Sequence, residues 1–360
     1  MAGMEECGIP ERRDQMSNIY DIGRETGLSP STVARALSGK GYCSEAARIK
    51  VQKAAKKLNY VPVQAAKSLK SKITRKVMFC IPDIYNPYYF DMIREVNRVL
   101  EQSGYYMILV HTGHDAKKEL EIVDTLKERF VDGMIILSFH FDDKLMDRIR
   151  TCGLPVVLTN RCDGYDDEEN FDCAYVDYMR AAYIATEYLL KKGHKKVGLL
   201  VGDIREQMGY ERLEGYQRAL RDAGVACEED LIIYSDFTRA GGYVRFLEYL
   251  EKKGLQMSGL VACNDLMGIG CIQACRERGI VLPGQLSIVT LDNTDYCSCT
   301  YPELTSVDMR QTQVGQNAAE LLMERIRERR RYTKMISLMP RLVERNSVLD
   351  LTTGKEKSSI

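Results

Sequence analysis

Apolar residues at the start of the chain recur at three- and four-residue spacings, and further on they gather into short solid runs between longer helical patterns. In residues 17–59 the spacing predicts three short helices. Ile19 and Ile22 give the first an apolar stripe, Asn18 and Asp21 form a capping box at its start, and Gly27 supplies the left-handed residue that ends it. Ser29 caps the second helix and Pro30 fills its first turn, where a missing N–H costs nothing. Val33, Ala36 and Leu37 then face inward, leaving Ser31, Thr32 and Arg35 outside. The third helix is capped by Ser44 and runs to about Asn59 on Ala47, Ile49, Val51, Ala54, Ala55 and Leu58.

From Lys76 the period changes. Strand-like runs at Val77–Ile81, Tyr106–His111, Gly133–Leu137, Pro155–Thr159 and Cys173–Val176 precede a second series at Val197–Val201, Leu231–Tyr234, Gly259–Cys263 and Leu286–Leu291. Helical patterns lie between them at Asp91–Ser103, Lys117–Arg129, Arg180–Lys192, Arg212–Ala223, Gly241–Lys253 and Leu266–Arg278, with a last one over Arg310–Arg329. Two series of alternating strands and helices predict two lobes, each a doubly wound parallel sheet. Ligands of such sheets sit beyond the carboxyl ends of the strands, so two lobes place a site in the cleft between them.

Charge divides the chain the same way. Net charge is zero, yet residues 17–76 carry 13 Lys+Arg against 3 Asp+Glu, while residues 77–360 carry 36 against 44. A basic helical module on an acidic body suits phosphate binding by the module. Short polar residues and an arginine on the exposed front of a second helix suit base edges in a DNA major groove. The 12 cysteines are scattered, several in apolar runs (Cys80, Cys173, Cys263), and read as small buried hydrophobes rather than a secreted disulfide framework. No apolar run reaches membrane-spanning length and residues 1–16 are charged rather than signal-like, which predicts a cytoplasmic protein with no membrane partner.

The run from Ile19 to Leu69, ending Tyr60-Val61-Pro62-Val63-Gln64-Ala65-Ala66-Lys67-Ser68-Leu69-Lys70, resembles the headpiece of the LacI/GalR family of bacterial transcription regulators, and the resemblance continues to about Val348. It implies a DNA-binding regulator, with repression the expected direction, acting as a homodimer on a palindromic operator. Its implied DNA contacts are Ser29, Pro30, Ser31, Thr32, Arg35, Tyr60, Ala66, Leu69 and Lys70, with Leu69 a wedge pushed into a minor-groove step by a hinge helix. The domains expected are an extension over 1–16, the helix-turn-helix headpiece over 17–62, hinge and linker over 63–75, and a periplasmic-binding-protein-like core over 76–348. A polar tail over 349–360 lacks leucine heptads. Within the core, 76–176 and 308–335 form the first lobe, 177–307 and 336–348 the second. The chain departs from the family at Gly23 (usually alanine), Ala34, Ser38, Val63, Asn160 and Thr290.

The resemblance also implies an effector, a sugar or sugar derivative, in the cleft. Tyr89 and Phe90, in a segment similar to the family's "PDxxNPFF", offer a stacking face or simply lobe packing. Asp115 could accept from hydroxyls or cap the next helix. Arg161, Arg212, Phe237, Asn264 and Asp292 match effector-contacting positions; an arginine fork, a carboxylate and an aromatic plate suit vicinal hydroxyls above a CH face. A purine or nucleoside effector is the alternative within the same function, and a solute-binding protein for transport the alternative outside it. No phosphate loop, nucleophile elbow or histidine-centred triad is present, and Gly268-Ile269-Gly270 lacks a third glycine, so no enzyme, cofactor or metal is expected.

Overall fold

A computed structural model describes residues 17–39, 41–60, 73–160, 171–328, 330 and 332–352. They fall into two compact units that divide after Ile73. The first holds helices α1 (Ile19–Thr26), α2 (Pro30–Ser38) and α3 (Glu45–Lys57). Each begins on a side chain that accepts backbone N–H groups. Asn18 takes those of Tyr20 and Asp21 while Asp21 Oδ2 receives the Asn18 N–H at 2.8 Å; Ser29 takes that of Thr32, and Ser44 that of Ala47. Gly27 closes α1 at φ 69°. The helices share a small core of Ile22, Val33, Ala36, Val51 and Ala54, lined by Leu37 and Tyr60. Ile49, expected to face that core, is 46% exposed: α3 buries the stripe through Val51 and Ala54, which leaves Ile49 outside it.

The second unit contains two six-stranded sheets. One has the order β11-β5-β4-β3-β1-β2, from β1 (Lys76–Ile81), β2 (Tyr106–His111), β3 (Gly133–Ile136), β4 (Val156–Leu158), β5 (Asp172–Val176) and β11 (Met335–Leu338). The other has the order β12-β10-β9-β8-β6-β7, from β6 (Val197–Val201), β7 (Ile232–Tyr234), β8 (Gly259–Ala262), β9 (Ser287–Asp292), β10 (Thr305–Asp308) and β12 (Arg341–Val343). All pairings are parallel except β10 with β12. The central strands β3, β6 and β8 are buried along their whole length and β1 all but its first residue, the signature of sheets covered on both faces. The covering helices are α4 (Phe90–Gln102), α5 (Ala116–Thr125), α6 (Asp143–Thr151), α7 (Tyr178–Lys191), α8 (Gln207–Asp222), α9 (Arg239–Lys253), α10 (Asp265–Glu277) and α11 (Gln311–Glu328).

Two expectations need correction. Helix α6, absent from the sequence pattern, buries Leu145, Met146 and Ile149 although six of its nine residues are charged or polar, Thr151 among them. The boundary between lobes at 335/336 is also displaced. Met335–Leu338 pairs with β5 in the first sheet, and the chain crosses only at Met339–Pro340 before β12 joins the second. Asp308 likewise pairs with Asp292 in the second sheet. Residues 1–16, the hinge including Ala66, Leu69 and Lys70, Arg161 and the end of the tail lie outside the described residues.

The turn from the far end of α11 into β11, within the first lobe, is tied by one carboxylate. Asp172, with no exposed surface, accepts from Arg325 Nε at 2.8 Å, Arg330 Nη2 at 2.6 Å and the Lys334 N–H at 2.7 Å. Removing it strands the buried Arg330 guanidinium. Asp172→Ala is expected to lower the stability of the core by about 3–5 kcal/mol, read as a fall in the urea midpoint of its unfolding transition.

Candidate functional site: the cleft between the lobes and the front of the second helix

In the first unit, α2 presents Ser29, Pro30, Ser31 and Arg35 to solvent, with Thr32 half-buried. The hydroxyls are organised among themselves: Ser29 Oγ lies 3.0 Å from Ser31 Oγ and 2.9 Å from Thr32 Oγ1. Arg35 Nε donates to the Ser31 carbonyl at 3.3 Å, which lays its fork along the helix front. Lys50, Lys53 and Lys56 of α3 are exposed, so the unit's positive charge is on its surface. Tyr60 packs partly buried on the small core. Gly23, where the family has alanine, is buried; a β-carbon there would stand 3.0 Å from the Leu28 carbonyl, a tight fit that this turn avoids.

In the second unit the carboxyl ends of the strands deliver polar side chains into a shared buried region. Asp292 ends β9 and Arg212 lies on α8, with only 3% and 2% of their surfaces exposed. Their closest approach, Arg212 Nη2 to Asp292 Oδ1, is 3.8 Å, a charge pairing too long for a hydrogen bond. Asp292 Oδ1 and Arg212 Nε therefore have no hydrogen-bond partner. Buried polar atoms are ordinarily paired, so these two retain bonding capacity. Two rings lie against the guanidinium: its centre is 5.1 Å from the Tyr178 ring and 5.3 Å from that of Phe237. Phe237 lies so closely over Gly202 that a β-carbon there would be 2.1 Å from the ring.

The loop carrying Asp292 is strained and braced. Asp292 has φ 106° and Asn293 φ 54°. The Asn293 N–H donates to Ser306 Oγ at 2.9 Å and the Thr294 N–H to Asp265 Oδ2 at 2.7 Å. Asp265, fully buried, also accepts from Thr290 Oγ1 at 2.5 Å and Ser306 Oγ at 2.8 Å. Thr290, the departure from glycine, thus belongs to this network, and its methyl occupies the space a β-carbon on Gly268 would need. Asn264 caps α10 through its Oδ1 and donates to the Phe237 carbonyl at 2.7 Å. It positions the aromatic plate. Burial, then the charge of Asp265, pushes the Asp292 carboxyl well above the usual carboxylate range, opposed by Arg212.

The first lobe contributes Tyr88 and Tyr89, both buried and edge-on to each other at 87°. Burial raises both hydroxyls, with Tyr178 and Asp292 adding to the effect, which places the two tyrosines against the second lobe's charges. Phe90 opens α4 and is 48% exposed, so it does not stack with Tyr89. Asp115 is exposed and caps α5, accepting from the Lys117 and Lys118 N–H groups. Residues passed over in the sequence also reach the cleft. Glu206 precedes α8 with Oε2 buried and unpaired, and Asn160 Oδ1 and His140 Nδ1 are in the same condition. Their common sequence signal is position, just beyond a strand end or at a helix start.

Among the described residues no three His, Cys, Asp or Glu side chains gather as a metal site, and no helix is long and apolar enough to cross a membrane. Cys263, Cys271, Cys275 and Cys297 are fully buried.

Known proteins agree with this architecture. The model for bacterial regulatory proteins of the lacI family matches residues 18–63, and that for a periplasmic binding protein-like domain matches 186–348. The chain is 30% identical over 339 residues to the HTH-type transcriptional repressor PurR of Proteus mirabilis (strain HI4320), covering 93% of this chain and 98% of that one. It is 28% identical over 340 residues to the ribose operon repressor of Haemophilus influenzae (strain ATCC 51907 / DSM 11121 / KW20 / Rd), covering 93% and 100%. The solved complex of the transcriptional regulator CelR with cellobiose superposes with a TM-score of 0.70 at 26% identity, covering 92% of this chain and 99% of that one.

Burial, then the Asp203 charge, raises the Glu206 carboxyl above its ordinary range. A carboxyl raised in the folded state favours folding at pH values below its unfolded value and loses that contribution as pH rises through the folded one. Glu206→Gln is therefore expected to raise the Tm of the free protein by about 1 °C at pH 8, screened by solvent, and to leave it unchanged at pH 4.

Proposed function

The chain belongs to the lacI family of bacterial regulatory proteins and is a DNA-binding transcriptional regulator, and we propose that it represses in response to a sugar or sugar derivative held in the cleft. The observation that carries the effector reading is the buried Arg212–Asp292 pair, 3.8 Å apart and not hydrogen-bonded, against the rings of Tyr178 and Phe237. Vicinal hydroxyls can accept from the guanidinium and donate to the carboxylate, while the ring of Phe237 covers the CH face. Tyr89 walls the site from the other lobe and Asn264 holds the Phe237 backbone. The edge-on arrangement of Tyr88 and Tyr89, with Phe90 turned outward, offers no parallel pair of plates for a flat base, which favours the sugar over a purine. Phe90 and Asp115 take no part in this reading; Arg161, outside the described residues, stays an effector contact implied by the resemblance alone.

On DNA, Pro30, Ser31 and Arg35 would meet base edges in the major groove while Ser29, Thr32 and Tyr60 approach the backbone. Ala66, Leu69 and Lys70 would enter the minor groove at the operator centre, and two copies of the chain would read the halves of a palindrome. The protein would work in the cytoplasm.

Binding sites selected from random duplexes by the purified protein should be palindromic, with an affinity that falls steeply as salt rises. Arg35→Ala should weaken the selected site by about 1–3 kcal/mol, and Phe237→Ala should abolish the thermal shift given by the bound sugar without changing DNA affinity in its absence. Affinity independent of salt, or a sugar response that survives Phe237→Ala, would overturn these assignments.

A further inference from the structure

Besides the Arg212–Asp292 pair, the cleft holds a second polar group drawn from both lobes. On the first lobe, Asn160 is 4% exposed; its Nδ2 donates to the Ser138 carbonyl, which leaves Oδ1 buried and free. Ser138 Oγ donates to Glu119 Oε2 at 2.5 Å, and His140 Nδ1 lies 3.7 Å from the same carboxylate without a hydrogen-bond partner. On the second lobe, Glu206 Oε2 is buried and free, and the carboxyl feels both Arg212 and His140. Glu206 lies between the carboxyl end of β6 and the start of α8, the end of the second lobe's sheet that faces the cleft.

The unpaired atoms form an inventory of what an occupant must bring. Asn160 Oδ1, Glu206 Oε2 and Asp292 Oδ1 accept; Arg212 Nε is a fixed donor, and His140 Nδ1 and the Ser235 hydroxyl, just past β7, take either role. An occupant must supply more donors than acceptors. Charge points the same way. Arg212 is already faced by Asp292, and Asp83 of the first lobe adds its field at Tyr89. Arg205, the nearest preceding cation in sequence, has a side chain 88% exposed and is engaged by Asp203.

We propose that the cleft selects its effector by charge, taking a neutral or amine-bearing saccharide and rejecting phosphorylated and carboxylated forms, with Glu206 as the residue that rejects them. This rests on the sugar reading above. A hydroxyl or ammonium donates to the waiting oxygens. A phosphate or carboxylate brings acceptors that meet acceptors, and sets a further negative charge beside Glu206 in a medium that screens poorly. Discrimination of this kind is exclusion rather than attraction.

The test is titration calorimetry of the full chain against matched sets: glucose, glucosamine, glucose 6-phosphate and glucuronate; ribose and ribose 5-phosphate; cellobiose; and guanosine with its monophosphate. Within whichever set binds, the neutral or amine form should bind at least about thirtyfold more tightly than the anionic form. Glu206→Gln, isosteric and checked for folding by its Tm, should shrink that ratio by about tenfold, and Glu206→Asp should preserve it. An anionic form that binds as tightly as its neutral parent overturns the proposal, and a ratio untouched by Glu206→Gln overturns the assignment to Glu206. If only guanosine or its monophosphate binds, the sugar reading fails while charge selection is judged on that pair. Silence from every set overturns both.

Discussion

Arg212 and Asp292 are a guanidinium and a carboxyl buried together almost out of reach of water. Desolvating two such groups costs several kcal/mol each, and at 3.8 Å without a hydrogen bond the pair does not recover that cost in full. The deficit is met by the fold around it. Two aromatic rings against the guanidinium, the backbone of β9 and the Asp265 network hold the pair in place, and the positive φ at Asp292 is braced by the anchored N–H groups of Asn293 and Thr294. The second lobe spends stability to keep two partners apart and ready, which is the usual relation between a binding site and its scaffold. The brace also reaches outside that lobe. Gln311, at the start of α11, donates through Nε2 to the Asp292 carbonyl, and α11 packs against α4 on the first sheet.

The parts legible in the sequence were those governed by local rules. Three helix caps, the glycine at Gly27 and the inward faces of α1 and α2 follow from side chains within four residues of one another, and the structure has them as read. The alternation of strands and helices gave two sheets, because buried parallel strands are solid apolar runs. What stayed hidden depended on partners far away in the chain. Met335–Leu338 looks like a strand of either lobe until its pairing with Cys173–Val176 is known. Thr290 looks like an anomaly against the family until Asp265, 25 residues earlier, is seen to accept its hydroxyl. Phe90 and Tyr89 are adjacent, so only the local 3-10 turn before α4 decides that one is buried and the other half in water.

The cleft also divides its labour by charge. Tyrosines face each other across the lobes: Tyr88 of the first and Tyr178 of the second are both buried, and burial raises both hydroxyls, Tyr178 to about 12. Neutral hydroxyls can bridge two lobes without desolvating a charge, so bringing the lobes together costs little at that contact. On the proposed reading, the charged and unpaired atoms are kept for a third molecule. A ligand that satisfies Arg212, Asp292 and Glu206 therefore gains most in the arrangement where both lobes surround it, and it shifts the population toward that arrangement by the ratio of its affinities for the two. Whatever the shift does to operator affinity, the operator does in equal measure to the ligand's affinity, since the coupling is one free energy shared by both sites. If the proposed site is the effector's, selectivity in the cleft and control at the DNA draw on the same few unpaired atoms.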